Sequence, residues 1–463
     1  MRTMMMRGIV LSVVLGSGLA SALDLPTQYR AAFFQDDPTK YIKDWQTSIE
    51  ARIGYGDSRH TYDQGNFRKP LLSGYGPMNI VSLGWGLNAS NKTPNPTTNM
   101  YWNAAGTGLF DPSNTANLGP NDGMIQMGGR FRDTEYNLTL QQALCLGLYF
   151  QIYVPIREVQ IDQITTQNLG AANIGTIPVN VTTFLNTALP LILQEQGFNK
   201  GLVLNTPFKK TDCGDIIASL GWHGYQDGLH GMVNAIGGMV QAGAILPTAG
   251  TRDEDLIFSI PVGYNNHYGV LARAAVELGL WKVLALGVQA GTEIFFTDEK
   301  EMRMMTDPSQ TGWLFLGKGR ADVDSGAIWD VGGYFKFDQF VDGLAVIIGY
   351  SFTTQEYTWL HVEDNNFLYD VIKADQTPPI PLAVVNPRVQ PLFAKSKDSI
   401  VNGDQRQHRW ESHVFHAVLQ YQPHCWSVNP LIKAEYACPI YGKSNFDTDM
   451  VAGTLGLSIG WGF

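Results

Sequence analysis

The chain has 463 residues, a length that suits one large domain or two or three ordinary ones. Charged residues make up only 16%, against roughly 25% in soluble domains, while glycines number 49 and aromatic residues reach 11%. The formal net charge of −10, with no basic stripe, excludes a nucleic-acid partner. A helical membrane protein is excluded too, because no apolar run of about eighteen residues follows the amino-terminal segment.

The first 22 residues have the pattern of a secretory signal peptide. Arg2 and Arg7 supply a positive start, Gly8–Leu19 is apolar, and Ala20–Ala22 offers small residues for cleavage. We predict cleavage before Leu23 rather than a retained membrane anchor, because the apolar run is short. The signal predicts export from the cytoplasm.

The first predicted strand is residues 45–55. Its aromatic ends, Trp45 and Tyr55, bracket an apolar middle on one face, and Glu50 and Arg52 share the other face. Aromatic residues at both ends of an apolar strand are typical of membrane interfaces. We therefore predict a strand with one face toward lipid and one toward a polar lumen, preceded by a periplasmic lead-in or short plug at residues 23–44.

Long polar segments separate the later strands. They are predicted as external loops at residues 57–122, 165–211, 298–326 and 360–407. Between them alternation predicts further strands near residues 129–140, 145–157, 214–225, 232–246, 268–280, 283–296, 329–338, 344–352, 410–421, 430–441 and 449–463.

The most regular alternation lies in residues 268–296. In the first arm, to residue 280, the even-numbered residues are predominantly apolar, whereas Arg273 and Glu277 are odd-numbered. About fourteen residues per arm exceed the five or six of a typical globular strand and suit a tilted crossing of a bilayer. We predict that the even-numbered residues of the first arm contact lipid and the odd-numbered ones face the lumen.

The last strand ends in SIGWGF, with Trp461 and Phe463 on its apolar face. This ending resembles the terminal strand of Gram-negative outer-membrane β-barrels. The resemblance implies that Trp461 and Phe463 form the signal read by the outer-membrane barrel assembly machinery.

A second segment, QAGAILPTAG at Gln241–Gly250, is loosely similar to the superfamily of fatty-acid and hydrocarbon outer-membrane transporters. Members of that superfamily usually have fourteen strands and an Asn-Pro-Ala motif in a plug of some forty residues. This chain has twelve predicted strands and lacks the motif. None of the superfamily's binding residues is therefore assigned here.

Twelve strands with alternating short and long connections predict the architecture. With both termini in the periplasm, the short turns fall on the periplasmic side and the long loops outside. Closure is required because unpaired edge amides in lipid would each cost several kcal/mol. We predict an all-β, antiparallel up-and-down transmembrane barrel of 12 to 14 strands, formed by residues 45–463, in the outer membrane of a Gram-negative bacterium.

Charged and amide side chains on the lumen-facing parity predict the lining of a pore. Two interpretations stay open: an open or loop-constricted channel, or a filled interior in which Arg273 pairs with Glu277 and Lys336 with Asp330 or Asp338. The predicted pore-lining residues are Glu50, Arg52, Arg157, Arg273, Glu277, Gln289, Glu293, Asp330, Lys336, Asp338, Lys433 and Glu435.

Catalytic and metal-binding motifs are missing from the sequence. The segment GYGDS at Gly54–Ser58 lacks GxSxG spacing, and no HExxH or Walker-type motif occurs. The cysteines, Cys145, Cys213, Cys425 and Cys438, have no CxxC spacing, so neither a disulfide framework nor a zinc site is predicted. We predict a protein that is not an enzyme and has no cofactor or metal, in which His413 lies at the membrane interface.

The preferred function is an outer-membrane porin or facilitated-diffusion channel for small solutes. An alternative is a surface-interaction or structural protein whose long loops bind a partner, and a second alternative is a transporter of hydrophobic substrates. The expected partners are outer-membrane lipid, the assembly machinery and small solutes. The sequence leaves the solute and the oligomeric state open.

Overall fold

A computed structural model describes residues 26–33, 45–74, 76–79, 124–169, 207–229, 231–281, 283–304, 313, 317–341, 343–362, 409–423 and 428–460. The predicted signal peptide, most of the predicted loops, Trp461 and Phe463 lie outside the described residues. The side chain of Asp338 lies outside them as well.

Twelve long antiparallel strands form the fold, and the prediction of an all-β barrel is confirmed. They are β1 (Gln46–Ser58), β2 (Met124–Ala143), β3 (Leu148–Asn168), β4 (Ile216–Asp227), β5 (Val233–Leu246), β6 (Gly269–Leu280), β7 (Leu284–Phe295), β8 (Ile328–Val341), β9 (Leu344–Gln355), β10 (Trp410–Tyr421), β11 (Val428–Lys443) and β12 (Asp449–Gly460).

Each strand pairs with its neighbours in sequence, and the first pairs with the last. The β1–β12 register runs from Gln46 opposite Gly460 to Asp57 opposite Asp449, while β1 also pairs along its length with β2. This closure supplies a partner on both sides of every strand, so the barrel wall presents no open edge to lipid.

The two ends of the barrel differ in the length of their connections. The end that carries Gln46 and Gly460 has five short turns, near residues 144–147, 228–232, 281–283, 342–343 and 422–427; we call it the turn end. The opposite end, the loop end, carries the longer connections and one short one between β11 and β12. In outer-membrane barrels the turn end is periplasmic and the loop end faces outside.

The exterior of the barrel is an apolar band. Every strand presents large apolar side chains that are at least 37% exposed, on the parity opposite the buried residues. One example from each strand, in chain order, is Ile53, Leu138, Ile156, Leu220, Val240, Val276, Val288, Phe335, Ile348, Leu419, Ile432 and Leu455. Such a belt would not be stable in water but matches the hydrocarbon of a bilayer.

Exposed aromatic side chains flank the band at both ends. Trp45, Trp222, Trp281 and Tyr421 lie toward the turn end. Tyr268, Phe296, Trp329 and Tyr441 lie toward the loop end. Aromatic rings prefer the boundary between hydrocarbon and water, so these two girdles mark the membrane interfaces.

A charge introduced on the outer face of β6 should destabilise the barrel according to its depth. We expect Val276→Arg, closer to the middle of the strand, to cost about 2–4 kcal/mol, because the guanidinium would enter hydrocarbon. The matched change Val270→Arg, beside the first residue of β6, should cost about 0–1 kcal/mol. Urea-unfolding midpoints in lipid vesicles measure both, and equal midpoints for the two variants would contradict a lipid-facing exterior.

Two small sheets stand at the loop end. In one, Asp298–Met304 and Trp359–His361 flank Gly317–Asp324; in the other, His60–Tyr62 lies between Asn445–Phe446 and Arg68–Pro70. A single 3₁₀ turn, Leu71–Ser73, packs against β2. No helix among the described residues has the length and hydropathy needed to cross a bilayer.

The hairpin β2–β3 is longer than its apolar alternation predicts. The predicted strands cover residues 129–140 and 145–157, but the observed strands have 20 and 21 residues. The extra residues are mostly polar, so the apolar pattern ends before the strands do. The strand Phe208–Cys213, which begins within the loop predicted at residues 165–211, pairs with residues 156–161 of β3. Met78–Asn79, within the loop predicted at residues 57–122, pairs with β2.

Candidate functional site: the barrel interior

The predicted pore-lining residues whose side chains are described lie on the inward-facing parity of their strands. Most of them are buried, and Gln289 and Asp330 are partly buried. The fully buried members are Glu50, Arg52, Arg157, Arg273, Glu277, Glu293, Lys336, Lys433 and Glu435. Their role in lining a pore stays a prediction.

Glu135 of β2 is the centre of the interior charge cluster. Its carboxylate lies 3.4 Å from Nη2 of Arg30, 3.7 Å from Nη2 of Arg52 and 3.5 Å from Nε of Arg157. Arg30 also lies 3.4 Å from Asp133, two residues away on the same face of β2. All five side chains are at most 6% exposed, so the charges depend on one another rather than on water.

Arg30 belongs to a segment that lies against the inner face of the barrel wall. We call residues 26–33 the lumen segment. Its Phe33 ring lies 4.8 Å from the guanidinium carbon of Arg52, and Ala31 and Phe33 pack against Val414 of β10. The segment therefore combines a cation, apolar contacts and a cation–π contact on the inner wall.

Hydrogen bonds attach the other end of the lumen segment to the loop end of the barrel. Tyr264 donates its hydroxyl to Pro26 O (3.0 Å), Thr448 donates its hydroxyl to Tyr29 O (2.7 Å), and Phe446 N donates to Gln28 O (2.8 Å). These anchors lie between strands β5 and β6 and between β11 and β12. The lumen segment thus occupies the part of the interior next to the loop end.

A second charge cluster spans β6, β7 and β8. Nη2 of Arg273 lies 2.8 Å from Oε1 of Glu293 and 3.9 Å from Oδ1 of Asp330. The Tyr334 hydroxyl donates to Glu277 (2.8 Å), and its ring occupies the space beside Gly287, where a Cβ would overlap it. The charged side chains of the inner wall are therefore joined across strands.

The inner wall near the loop end also carries a ring of apolar side chains, which we call the apolar belt. Tyr153, Ile217, Ile245, Leu271, Phe295, Ile328 and Trp410, from seven strands, form one buried cluster against which Tyr264 packs. The connection between β5 and β6, residues 247–268, folds inward: Ile257, Phe258, Ile260 and Val262 are buried, and Arg157 donates to Val262 O (3.2 Å). This inward loop and the lumen segment together narrow the interior.

His267, at the end of the inward loop, is held in one tautomer. Its Nδ1 lies 3.1 Å from Phe296 O, which can only accept, so Nδ1 carries the proton and Nε2 accepts from the Ser325 hydroxyl at 3.2 Å. Burial, aided by the nearby Lys300 ammonium, lowers the pKa of His267 from 6.5 to about 4. His267 is therefore neutral at neutral pH.

Replacing His267 with glutamine should flatten the acid dependence of stability. Because the folded-state pKa lies below the unfolded value, the stability that depends on neutral His267 is complete above pH 6.5 and is lost as the pH falls toward 4. The loss amounts to about 3 kcal/mol at 1.36 kcal/mol per pKa unit. Urea midpoints at pH 7.0 and pH 4.5 measure it, and His361→Gln, at an exposed histidine, serves as the control. Parallel pH profiles for the wild type and H267Q would contradict the assignment.

Three further histidines among the described residues, His223, His413 and His416, have structural surroundings. His413 lies on the outer face with Tyr350, whose hydroxyl is 2.5 Å from its Nδ1, and near Phe352 and Tyr441. His223 and His416 are buried on the inner face, and Ser351 Oγ lies 2.8 Å from His416 Nε2. These serine–histidine contacts satisfy buried polar groups, which alone does not make a catalytic site.

The sequence interpretation missed three parts of the interior. Arg30 gave no signal, because its segment has no periodicity. Asp133 and Glu135 did give one, since polar residues fill every second position of β2 from Asp133 to Gln141. The apolar belt was missed because its members are single apolar residues on otherwise polar faces.

No arrangement of three or more histidine, cysteine or acidic side chains suited to a metal ion occurs in the described parts of the chain. Cys145, Cys213 and Cys438 are free thiols, and Cys425 lies outside the described residues.

The closed wall, its lipid-facing exterior and its polar inner face decide the class of protein. The chain is a transmembrane β-barrel of the outer-membrane type. No protein-family model matches the sequence, and no curated protein matches it.

Solved structures of similar fold include outer-membrane channels and porins. The COG4313 outer membrane channel from Pseudomonas putida F1 aligns over 90% of this chain and 97% of its own, with 7% identity and a TM-score of 0.46. The NanC porin covers 71% of this chain and 94% of its own, with 10% identity and a TM-score of 0.26. A Pseudomonas aeruginosa FadL homologue covers 90% and 91%, with 8% identity and a TM-score of 0.29.

Proposed function

We propose that the protein is an outer-membrane channel for the facilitated diffusion of small solutes, narrowed by its inward loop and by the lumen segment. One observation carries the proposal. The inner wall of the barrel is polar, and the lumen segment that covers part of it does not belong to the wall. Residues 26–33 form none of the twelve strands, and side-chain contacts and a few hydrogen bonds hold them. Displacement of the segment would leave the barrel closed and expose charged side chains to water.

The charges on the inner wall favour the passage of cations. Without Arg30, the charged inner-wall side chains described above comprise seven acids and five bases. An acidic excess in a narrow, hydrated lumen raises the local concentration of cations. The acids are Glu50, Asp133, Glu135, Glu277, Glu293, Asp330 and Glu435, and the bases are Arg52, Arg157, Arg273, Lys336 and Lys433.

Planar-bilayer recording of the purified full chain tests the proposal. We expect discrete conductance steps and, in a salt gradient, a reversal potential of the sign given by cation preference. Parallel recordings from a mock purification exclude contaminating porins. If neither the wild type nor a variant with a loosened lumen segment conducts, the barrel interior is a packed core and the channel proposal is wrong.

The length of the β2–β3 hairpin favours a second candidate, a surface-interaction protein. β1 ends opposite Phe131, and β2 extends seven residues further, to Met124, or about 24 Å at 3.4 Å per residue. On its other side β3 extends beyond its pairing with β4, which ends at Tyr153, and the strand Phe208–Cys213 pairs there with residues 156–161. Such a projecting sheet suits contact with a partner. Shortening the hairpin should abolish cell-surface binding and leave conductance unchanged if this candidate is correct.

The remaining partners follow from the barrel class. We propose that the apolar band contacts outer-membrane lipid and that the assembly machinery reads the chain's aromatic end at Trp461 and Phe463. Replacing Phe463 with alanine should lower the amount of folded barrel in the outer membrane, as measured by heat-modifiable migration on gels, while Phe67→Ala at the loop end should not.

A further inference from the structure

A cavity of about 140 Å³ lies at the loop end, between the lumen segment and the barrel rim. Residues 27–29 form one wall, the inward loop around Tyr264 forms another, and the first residues of β8 and β10 form the third. We call it the rim cavity. It lies next to the apolar belt of the inner wall, with which it shares Phe295, Ile328 and Trp410.

One side of the rim cavity is aromatic and apolar. Phe295, Ile328 and Trp410 belong to the apolar belt and are at most 5% exposed, and the Tyr264 ring centroid lies 4.7 Å from that of Phe295. The indole N–H of Trp410 donates to Gln355 Oε1 (2.5 Å), so the polar edge of this ring is already bonded. Rigid aromatic walls of this kind suit a flat or cyclic apolar group.

The charged side chains around the rim cavity neutralise each other. Nε of Arg252 lies 3.5 Å from Oε1 of Glu254, and Glu254 also accepts from the backbone N–H of Arg303 (3.0 Å). His267 uses both ring nitrogens within the protein. A charged solute would have to give up its hydration and compete with an existing ion pair, which costs several kcal/mol, whereas a neutral solute would not.

The hydroxyl oxygen of Ser325, which lines the rim cavity beside its apolar side, keeps capacity for a ligand. Ser325 donates its proton to Nε2 of His267, and its oxygen can still accept a hydrogen bond. An acceptor oriented in this way beside an apolar wall fixes the direction of a ligand that carries one hydroxyl.

The volume sets the size of the ligand. An apolar protein cavity of about 150 Å³ accommodates one benzene molecule. The rim cavity is of that size, so it has room for one six-membered ring with a small substituent.

We propose that the rim cavity is a binding site for a small neutral solute with one six-membered ring and a hydroxyl group, of the phenol class. The ring packs against Phe295 and Trp410, and the hydroxyl donates to Ser325. This inference rests on the proposed channel function, in which the cavity is the outer binding site on the solute's path.

Fluorine NMR of 4-fluorophenol with the full chain in lipid nanodiscs tests the inference. We expect saturable line broadening that excess phenol reverses and that empty nanodiscs do not produce. Neither 4-fluorobenzoate nor 4-fluorobenzylamine should compete, because each carries a charge. Competition by either charged compound equal to that of phenol would overturn the proposed ligand class.

Two variants locate the binding site. Thr358→Trp should fill the cavity, because Thr358 lines it and is partly exposed, and should weaken binding at least tenfold. Thr251→Trp makes the same change at an exposed position outside the cavity and should bind as the wild type does. Equal binding by both variants, or no saturable binding by the folded wild type, would overturn the proposal.

The binding experiment and the conductance experiment can fail independently, because the NMR measurement detects binding without requiring conduction. A protein that conducts but does not bind 4-fluorophenol refutes the binding site alone. A protein that binds but never conducts refutes the channel and leaves the site in place.

Discussion

Replacing Arg30 with glutamate is expected to displace the lumen segment and raise the single-channel conductance several-fold. Arg30 now lies 3.4 Å from Asp133 and 3.4 Å from Glu135, with all three side chains at most 2% exposed. A unit charge pair about 4 Å apart interacts with about 4 kcal/mol at an effective dielectric constant of 20. Reversing the charge turns two such attractions into repulsions.

The other anchors of the lumen segment are weaker than that repulsion. Three hydrogen bonds, from Tyr264, Thr448 and Phe446, contribute about 0.5–1.5 kcal/mol each. Burial of the Phe33 side chain adds about 1.5–3 kcal/mol. Together they do not offset a carboxylate forced against two buried carboxylates, so the segment should leave the lumen while the twelve strands stay paired.

A matched control separates displacement from a general charge effect. Arg68→Glu makes the same change at a side chain that is 59% exposed and paired with Asp447 (2.7 Å) in a loop-end sheet. R68E should conduct like the wild type, whereas R30E should show larger steps and a stronger preference for cations. If folded R30E and R68E have the same conductance, residues 26–33 do not close the lumen.

The faces of the strands could be predicted because a strand alternates strictly. In β6 the exposed residues are Val270, Ala272, Ala274, Val276 and Leu278, all even-numbered, and the predicted assignment of that strand to lipid and lumen agrees with their exposure. In a barrel that separates lipid from a polar lumen, every second residue of a strand contacts lipid. The periodicity of apolar residues is therefore sufficient to predict which face of the strand is outward.

The pairing of charges could not be predicted, because it depends on the register between strands. Glu293 lies opposite Leu271 across the β6–β7 pair, and Arg273 lies opposite Gly291, so the Arg273–Glu293 contact is diagonal. The sequence instead suggested Glu277 as the partner of Arg273 within one strand. Register is set by the whole barrel and its turns, which no local pattern contains.

The apolar belt and the inward loop could not be predicted for a different reason. Leu271, Phe295 and Ile328 each occur singly on a lumen-facing parity, where one apolar residue carries no information. They form a core with residues of other strands and with Tyr264 of the inward loop, which are contacts between distant parts of the chain. Length and polarity predicted the four long loops, but residues 247–268 were not predicted as a loop that enters the barrel.

Replacing Glu135 with glutamine is expected to destabilise the barrel by about 3–5 kcal/mol, the cost of removing one partner from a buried ion pair. Glu135 is completely buried, and its carboxylate lies within 3.7 Å of the guanidinium groups of Arg30, Arg52 and Arg157. The amide keeps the shape of the side chain but removes the charge, so three buried guanidiniums lose their shared carboxylate.

An exposed carboxylate provides the comparison for E135Q. Glu158 of β3 pairs with Lys209 at 2.7 Å, but both side chains are more than a third exposed, so Glu158→Gln should leave the urea midpoint close to that of the wild type. Urea midpoints of the two variants in vesicles measure the difference. Because Asp133 still contacts Arg30, E135Q should also loosen the lumen segment less than R30E does. A variant E135Q as stable as E158Q would mean that water already screens the cluster, and the lumen would then be hydrated even with its segment in place.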